Sequence, residues 1–201
     1  MWPFIAAGYP TVESTALLLR ELGHLPIRGI EIGFPFSDPI ADGPVIQQAF
    51  SHALSSGVRV GQVLDAIAEA RPHVRQPLIG MISASIVYRI GVPGFVDRAA
   101  KAGLDGLIVP DISLEEAPAL AASLQQAGLK LAMLVAPTTP MDRSLRIAES
   151  AGGFLYYVSI QGTTGARDAL PADLEKSVCD IRETTGMPVM VGFGISRAEH
   201  V

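Results

Sequence analysis

Short apolar runs alternate with longer helix-forming segments along the whole of this sequence, and this rhythm restricts the fold more than any other feature. Such alternation is typical of a parallel sheet whose strands are joined by helices. Seven apolar runs rich in β-forming residues are predicted as strands: Pro3–Ala7, Gly29–Gly33, Pro77–Ser83, Gly106–Val109, Lys130–Val135, Phe154–Ser159 and Pro188–Gly192.

The segments between these strands have the apolar spacing of amphipathic helices. Five of them are predicted as helices: Thr11–Leu22, Val45–Ser55, Gly61–Arg71, Leu114–Ala127 and Asp173–Thr185. Several helical segments end in a glycine suited to the left-handed conformation that closes many helices, at Gly57, Gly103, Gly128 and Gly186.

Two architectures combine parallel strands with covering helices, and the sequence favours one of them. The strands are almost continuously apolar, as in Leu131–Val135, which indicates burial on both faces. An open doubly wound sheet usually carries G-x-G-x-x-G after its first strand, but here this position reads Ala7-Gly8-Tyr9-Pro10. Polar and Gly- or Pro-rich segments follow the strands, where barrel enzymes keep their functional residues. The predicted fold class is therefore α/β, a (β/α)8 TIM barrel.

The number of strands sets the expected domain organisation. Seven strands do not close an eight-stranded barrel, and the sequence stops at Arg197–Val201, which has the pattern of a helix start. The first predicted strand also begins almost at Met1. We therefore expect residues 1–201 to form a single, incomplete barrel domain with seven of the eight strands, from a protein of about 250 residues.

Composition and charge argue against several classes of protein. Of the 201 residues, 49% are hydrophobic and 17% are charged, so a core must form and disorder is excluded as the main state. The net charge is −5 and there is no run of Lys or Arg, which argues against nucleic acid as a partner. No stretch approaches the ~20 apolar residues of a membrane span. The single cysteine, Cys179, cannot form an internal disulfide, and a cytoplasmic location is expected.

Two carboxylates are placed where acid–base chemistry is possible. Glu31 is an isolated carboxylate in the apolar strand Gly29–Gly33, where burial should raise its pKa toward neutrality. A strand-edge glutamate paired with a basic residue is the alternative that spacing leaves open. Asp42 follows in a proline-rich loop that can hold it over the barrel mouth. Asp beside Gly or Pro is also common in plain turns, and this second interpretation is favoured for Asp38.

Glycine-rich segments follow the last two predicted strands. Gly162–Gly165 comes after the sixth strand and Gly192–Ser196 after the seventh. Backbone N–H groups at such positions can bind an anion, so the two segments together favour a substrate that carries a phosphate. Tyr156, within the sixth strand, either lines the pocket or is an ordinary core tyrosine.

Lysine and histidine are missing from the positions that two other chemistries need. Lys101 and Lys176 lie in helical segments, and Lys130 lies at the start of a strand, so a Schiff base has no candidate. All four histidines fall outside the ends of the strands, which disfavours a metal aldolase. Carboxylate acid–base chemistry on a phosphorylated substrate remains.

Five segments carry a resemblance to a known family: Pro3–Pro10, Glu31–Pro44, Val135–Pro140, Gly162–Arg167 and Val191–Ser196. In this order, they closely resemble the tryptophan synthase α chain family over essentially the whole sequence. The long block Glu31–Pro44 is the most specific of them.

The resemblance implies a lyase of tryptophan biosynthesis, classed with the carbon–oxygen lyases. Members cleave indole-3-glycerol phosphate to indole and glyceraldehyde 3-phosphate, a retro-aldol step. By position, Glu31 resembles the family's general acid and base, and Asp42 the partner of the indole N–H. The remaining site residues implied by the resemblance bind substrate: Phe4, Tyr156, Thr164, Gly165, Gly192, Phe193 and Gly194.

The resemblance also implies partners. Members work as an α2β2 heterotetramer with a β chain. No cofactor is expected in this chain, because the pyridoxal phosphate belongs to the β chain.

One segment departs from the family pattern, and two other functions stay open. After the third strand, members commonly show a Tyr-x-Asn-like pattern, whereas this sequence reads Ser83-Ala84-Ser85. One alternative is another phosphate-binding barrel enzyme of the indole pathway, which would be expected to use a lysine or cysteine at a strand end. The other is a non-catalytic α-like fragment that binds or activates a β subunit.

Overall fold

The sheet consists of parallel strands that pair in the order of the chain. A computed structural model describes residues 1–39, 42–158 and 171–192. Within these ranges, each strand pairs with the next one along the chain, in the order β1 to β7. The strands are β1 (Phe4–Ala6), β2 (Ile30–Gly33), β3 (Leu78–Met81), β4 (Gly106–Ile108), β5 (Lys130–Val135), β6 (Leu155–Val158) and β7 (Val189–Gly192).

Helices connect the strands, as the alternation of the sequence predicts. The described residues form α1 (Val12–Gly23), α2 (Pro44–Ser55), α3 (Val60–Ala70), α4 (Ala84–Ile90), α5 (Val92–Ala102), α6 (Ala117–Gln126), α7 (Met141–Ser150) and α8 (Leu174–Thr185), and a 3-10 turn at Arg71–His73. None of these helices is long and apolar enough to cross a membrane.

Local chemistry explains where several helices start and stop. The Thr11 side chain accepts a hydrogen bond from the Ser14 N–H at 3.3 Å and caps the start of α1, and proline occupies the first position of α2. Both fit helix starts, where backbone N–H groups lack partners within the helix. Gly103 and Gly186 end α5 and α8 with φ of +87° and +68°. This left-handed region suits glycine.

The structure differs from the sequence prediction at the end of the third strand. The sequence predicts a strand that runs to Ser83, but β3 ends at Met81. Ser83 instead caps α4, because its hydroxyl accepts the N–H of Ser85 at 3.2 Å. The structure also adds helices α4, α5 and α7 to the five predicted from the sequence.

Side chains on the two faces of the strands form separate apolar clusters. We call the cluster between strands and helices the outer layer; it includes Ile30, Ile32, Leu78, Leu107, Leu131 and Leu155. We call the cluster on the opposite face the inner cluster; it contains Ile79, Ile108, Ala132, Phe154 and Tyr156. Alternation along each strand produces this division, since successive side chains point to opposite faces.

A ring contact shows that the sheet is curled rather than flat. Trp2 precedes β1 and Phe154 precedes β6, yet their ring centroids are 5.7 Å apart. Strands at neighbouring positions of a sheet are about 4.8 Å apart, so strands five positions apart meet only if the sheet curls. The prediction of a (β/α) barrel is confirmed, with seven strands in the described part of the chain.

Candidate active site

Glu31 occupies the inner face of β2, inside the barrel. Its neighbours in the strand, Ile30 and Ile32, both point into the outer layer, and the Glu31 residue is only 5% exposed. Removal from water disfavours the ionised carboxylate and raises the pKa of Glu31 to about 7. The ion pairs found among the described residues do not include Glu31. The alternative of a strand-edge glutamate paired with a basic residue is therefore not what the structure shows.

Tyr156 meets Glu31 across the interior of the barrel. The tyrosine hydroxyl donates a hydrogen bond to Oε2 of Glu31 at 3.3 Å, and this bond lowers the pKa of Glu31 by less than burial raises it. The pKa of Tyr156 itself is held well above its usual range, first by burial and then by the nearby Glu31 and Asp42 carboxylates. Tyr156 is thus buried, as a core tyrosine would be, with its hydroxyl on the candidate acid–base group.

Asp42 lies in the segment that follows β2, at the carboxyl end of the strands. It is partly buried, and burial raises the pKa of its carboxyl group. Its charge acts on Tyr156, so the structure brings Asp42, Tyr156 and Glu31 into one electrostatic environment. Asp38, by contrast, is exposed and accepts a hydrogen bond from the adjacent Ser37 hydroxyl at 2.7 Å, which fits a turn residue.

Hydrogen bonds from Gln47 connect Pro39 and Asp42 to helix α2. The Nε2 group of Gln47 donates to the carbonyl oxygen of Asp42 at 2.8 Å and to that of Pro39 at 3.3 Å. The sequence does not predict this contact of Gln47. Its signal is weak, because a glutamine in the first turns of a helix is more often an ordinary surface residue.

Phe4 packs beside Glu31, against the backbone of Gly33, where any side chain larger than hydrogen would overlap its ring. Phe4 of β1 pairs with Glu31 of β2 in the sheet register. A Cβ atom on Gly33 would overlap the Phe4 ring, so the ring lies directly against the glycine backbone. Because Glu31 and Gly33 are two residues apart on one strand, they share the inner face. The result is an apolar wall next to the carboxylate.

The Tyr156 ring likewise packs directly against a glycine, Gly192 at the end of β7. A Cβ atom on Gly192 would overlap the hydroxyl group and ring of Tyr156. The structure therefore places Gly192 against the tyrosine that touches Glu31. Four further predicted site residues, Thr164, Gly165, Phe193 and Gly194, lie outside the described residues.

The segment that departs from the family pattern is held by a carboxylate from the next strand. The Ser83 hydroxyl donates to Oδ2 of Asp111 at 2.6 Å, and the Ala84 N–H donates to Oδ1 at 2.7 Å. Asp111 follows β4, so these bonds join the carboxyl ends of β3 and β4. Hydrogen bonds between Ser83, Ala84 and Asp111 therefore connect the two loops at this end of the barrel.

The arrangement defines a class of protein. A buried carboxylate that can gain and lose a proton near neutral pH, with a second carboxylate beyond the carboxyl end of the same strand, is the arrangement expected of an acid–base enzyme in a parallel barrel. The described residues hold no group of three or more His, Cys, Asp or Glu side chains placed to bind a metal ion.

Comparison with known proteins defines the family within this class. The family model described as "Tryptophan synthase alpha chain" matches residues 1–201. The tryptophan synthase alpha chain of Acaryochloris marina is 43% identical over 198 residues, which cover 98% of this chain and 74% of the relative. That of Rhodopirellula baltica is 43% identical over 99% of this chain and 73% of its own length.

Solved structures agree with these relatives. Tryptophan synthase of Mycobacterium tuberculosis matches with a TM-score of 0.88 and 33% identity, over 96% of this chain and 74% of the solved chain. The tryptophan synthase A-subunit of Pyrococcus furiosus also matches with a TM-score of 0.88 and 33% identity, over 100% of this chain and 80% of its own. The chain belongs to the tryptophan synthase alpha chain family.

Proposed function

We propose that this chain is the α subunit of a tryptophan synthase, a lyase that cleaves indole-3-glycerol phosphate to indole and glyceraldehyde 3-phosphate. The observation that carries the proposal is the Glu31 carboxyl group, buried inside the barrel with a pKa raised to about 7. A group with this pKa is present in both protonation states at neutral pH, as a general acid and base must be. The alternative of a non-catalytic α-like chain is not favoured, because it gives Glu31 no use for this environment.

The reaction needs two proton transfers that one carboxyl group can perform in turn. Protonated Glu31 gives its proton to C3 of the indole ring, which leaves a positive charge on the ring nitrogen. The carboxylate then takes the proton from the hydroxyl group on the adjacent glycerol carbon. The bond between this carbon and C3 breaks, the aldehyde forms, and the bonding electrons return to the ring as neutral indole. Glu31 ends in its starting state, so neither a metal nor a Schiff base is required.

The other described residues support these steps by charge and shape. The Asp42 carboxylate accepts a hydrogen bond from the indole N–H and stabilises the positive charge that develops on the ring. Phe4 supplies an apolar wall for the indole. The Tyr156 hydroxyl, 3.3 Å from Oε2 of Glu31, holds the carboxylate in place.

The substrate phosphate has a separate proposed set of contacts. We assign these contacts to the backbone of Gly165, Gly192, Phe193 and Gly194, and closure over the site to Thr164. Gly192 ends β7, where barrel enzymes often bind phosphate. The assignment of the other four residues rests on their positions in the sequence motifs.

A β chain is the proposed partner. A complex of tryptophan synthase from Pyrococcus furiosus has a chain that matches this one with a TM-score of 0.88 and 32% identity, over 99% of this chain and 79% of that chain. We propose an α2β2 assembly in the cytoplasm, in which indole passes to the β chain. The pyridoxal phosphate then belongs to that chain, and this one needs no cofactor.

The test is product formation by the purified chain. Indole and glyceraldehyde 3-phosphate would be measured from indole-3-glycerol phosphate, with a β chain present and serine left out so that indole accumulates. Glu31→Gln should lower turnover by about 10²- to 10⁴-fold or more, because it removes the proton-transfer group. Glu21→Gln, on the exposed side of α1, is the matched control and should retain full turnover.

Each outcome of this assay decides something. Product formation that disappears only in Glu31→Gln supports both the lyase and the role of Glu31. Full turnover in Glu31→Gln contradicts that role. In a parallel assay with indole and serine supplied, a folded chain that raises β-chain activity but forms neither product from indole-3-glycerol phosphate contradicts the lyase and supports the non-catalytic alternative.

A further inference from the structure

The hydrogen bonds described for Asp42 involve its backbone. The Asp42 N–H donates to the carbonyl oxygen of Pro39 at 3.1 Å. The side chain of Gln47 then contacts the carbonyl oxygens of both residues, at 2.8 Å and 3.3 Å. Gln47 is fixed in turn by helix α2, where its own N–H donates to the carbonyl oxygen of Gly43 at 3.0 Å.

The carboxamide is well suited to this contact. Its nitrogen carries two hydrogens, so each can be directed at a different carbonyl oxygen. A glutamate of the same shape would bring a carboxylate oxygen, which is an acceptor only, against two other acceptors. A leucine would fill similar space and donate nothing. The property of Gln47 that matters here is therefore its ability to donate two hydrogen bonds.

We propose that Gln47 is a positioning residue for Asp42. By fixing the main chain at Asp42, Gln47 holds the Asp42 carboxylate in position relative to Tyr156 and Glu31. This inference rests on the role proposed for Asp42. It gives a function to an exposed glutamine that does not need to touch the substrate itself. A displacement of about 1 Å at a reacting group can cost on the order of 10²-fold in rate, so a remote tether of this kind can affect turnover.

The test compares two neighbouring glutamines. Gln47→Leu and Gln47→Glu should lower kcat by about 10- to 100-fold, with a smaller change in KM, since the rest of the pocket stays in place. Gln48 is the next residue of the same helix and is exposed. Gln48→Leu and Gln48→Glu make the same chemical changes without touching the Asp42 segment, and should stay within about twofold of the parent. Melting temperature is measured for all four variants.

A double-mutant cycle shows whether Gln47 acts through Asp42. Residues that work as one unit are not additive, so adding Gln47→Leu to Asp42→Asn should cause no further loss of kcat. This result, together with normal melting temperatures, supports the proposal.

The contrary results differ from one another. Gln47 variants as active as the Gln48 variants overturn the proposal and leave the role of Asp42 intact. A loss that adds in full to that of Asp42→Asn overturns it as well, because Gln47 would then act elsewhere. Unfolding of the Gln47 variants would show a general structural role and overturn one confined to Asp42. Full turnover in Asp42→Asn overturns the proposed role of Asp42 and this inference together.

Discussion

The inner and outer faces of the same strands bury different kinds of side chain. On β2, Ile30 and Ile32 enter the outer layer and are fully buried, whereas Glu31 between them enters the barrel interior at 5% exposure. The outer layer combines large aliphatic side chains with alanines and a few aromatic residues. The inner face also includes Gly33 and Gly192, which leave space for aromatic rings. Because side chains alternate along β2, the residues that pack the outer layer and the candidate acid–base residue lie on opposite faces of one strand.

The outer layer and Glu31 contribute to folding with opposite signs. Each large apolar side chain of the outer layer stabilises the fold by about 1.5–3 kcal/mol through burial. Glu31 destabilises the fold wherever it must be ionised, because burial raises its pKa above that of the unfolded chain. Substitutions on opposite faces should therefore separate stability from activity.

The largest expected loss of stability comes from the outer layer. Leu107 of β4 is 0% exposed, and Leu107→Ala should lower the free energy of unfolding by about 2–5 kcal/mol, from lost burial and the cavity left behind. The kcat per folded molecule should stay within about twofold of the parent, since the changed side chain faces away from the site. Denaturant unfolding and turnover, measured on the same preparation, check both statements.

Leu17→Ala makes the same chemical change at a residue of α1 that is 59% exposed. It should change the free energy of unfolding by no more than about 0.5 kcal/mol. A large loss of kcat in Leu107→Ala, at temperatures where the variant is folded, would show that the two faces are not independent.

The second prediction concerns the cost of burying Glu31. Below the unfolded pKa of about 4.3 the residue is neutral in both states and costs nothing. As pH rises toward 7, the unfolded chain loses its proton while the folded chain retains it, so stability falls. Above this range the cost is constant. Glu31→Gln removes it and should raise the free energy of unfolding by about 3 kcal/mol at pH 8, and by almost nothing at pH 4.

Denaturant unfolding of parent and variant at the two pH values measures this difference. The exposed Glu21→Gln variant controls for the loss of one carboxylate elsewhere and should show no comparable gain at pH 8. An equal effect of Glu31→Gln at both pH values would mean that burial does not control the protonation of Glu31.

Sequence reasoning predicts the outer layer well and the inner face only in part. The outer layer needs only apolar residues at alternate strand positions, and the alternation of Ile30, Glu31 and Ile32 makes both the strand and its odd carboxylate visible. The curl of the sheet brings Tyr156 to Glu31. That contact joins residues far apart in the chain, so local pattern left Tyr156 equally consistent with the core and the pocket.

Contacts that depend on backbone position were the hardest to predict. Gly192 was assigned to the phosphate from its glycine motif, whereas the structure also places it against the Tyr156 ring. Gln47 acts through two carbonyl oxygens, which carry no signal in residue type. The end of β3 was misplaced because Ser83 serves a helix cap formed partly by Asp111, a partner from another strand.

The third prediction tests the close approach of Gly192 to Tyr156. Gly192→Ala places a methyl group where the tyrosine hydroxyl now lies, so the ring must move away from Glu31. Turnover should fall by up to about 10²-fold, because the change moves the ring away from Glu31 and also disturbs the Gly192 backbone proposed to bind the phosphate. Gly94→Ala is the matched control, because a Cβ atom there would meet nothing within 4 Å, and it should leave turnover unchanged. Normal turnover in Gly192→Ala would show that the contact does not position the tyrosine.

The smallest expected effect isolates a single hydrogen bond. The kcat/KM profile against pH reports ionisations of the free enzyme, and Glu31 should contribute one near pH 7. The Tyr156 hydroxyl stabilises the ionised carboxylate, so Tyr156→Phe should move this ionisation to higher pH. Since the bond is long at 3.3 Å, the loss of turnover should be less than about tenfold. Tyr157→Phe deletes the same hydroxyl one residue along, in the outer layer, and should leave the profile where it is. A Tyr156→Phe profile that superimposes on the parent would mean that Tyr156 does not tune Glu31, and the contact across the barrel would then be one of packing alone.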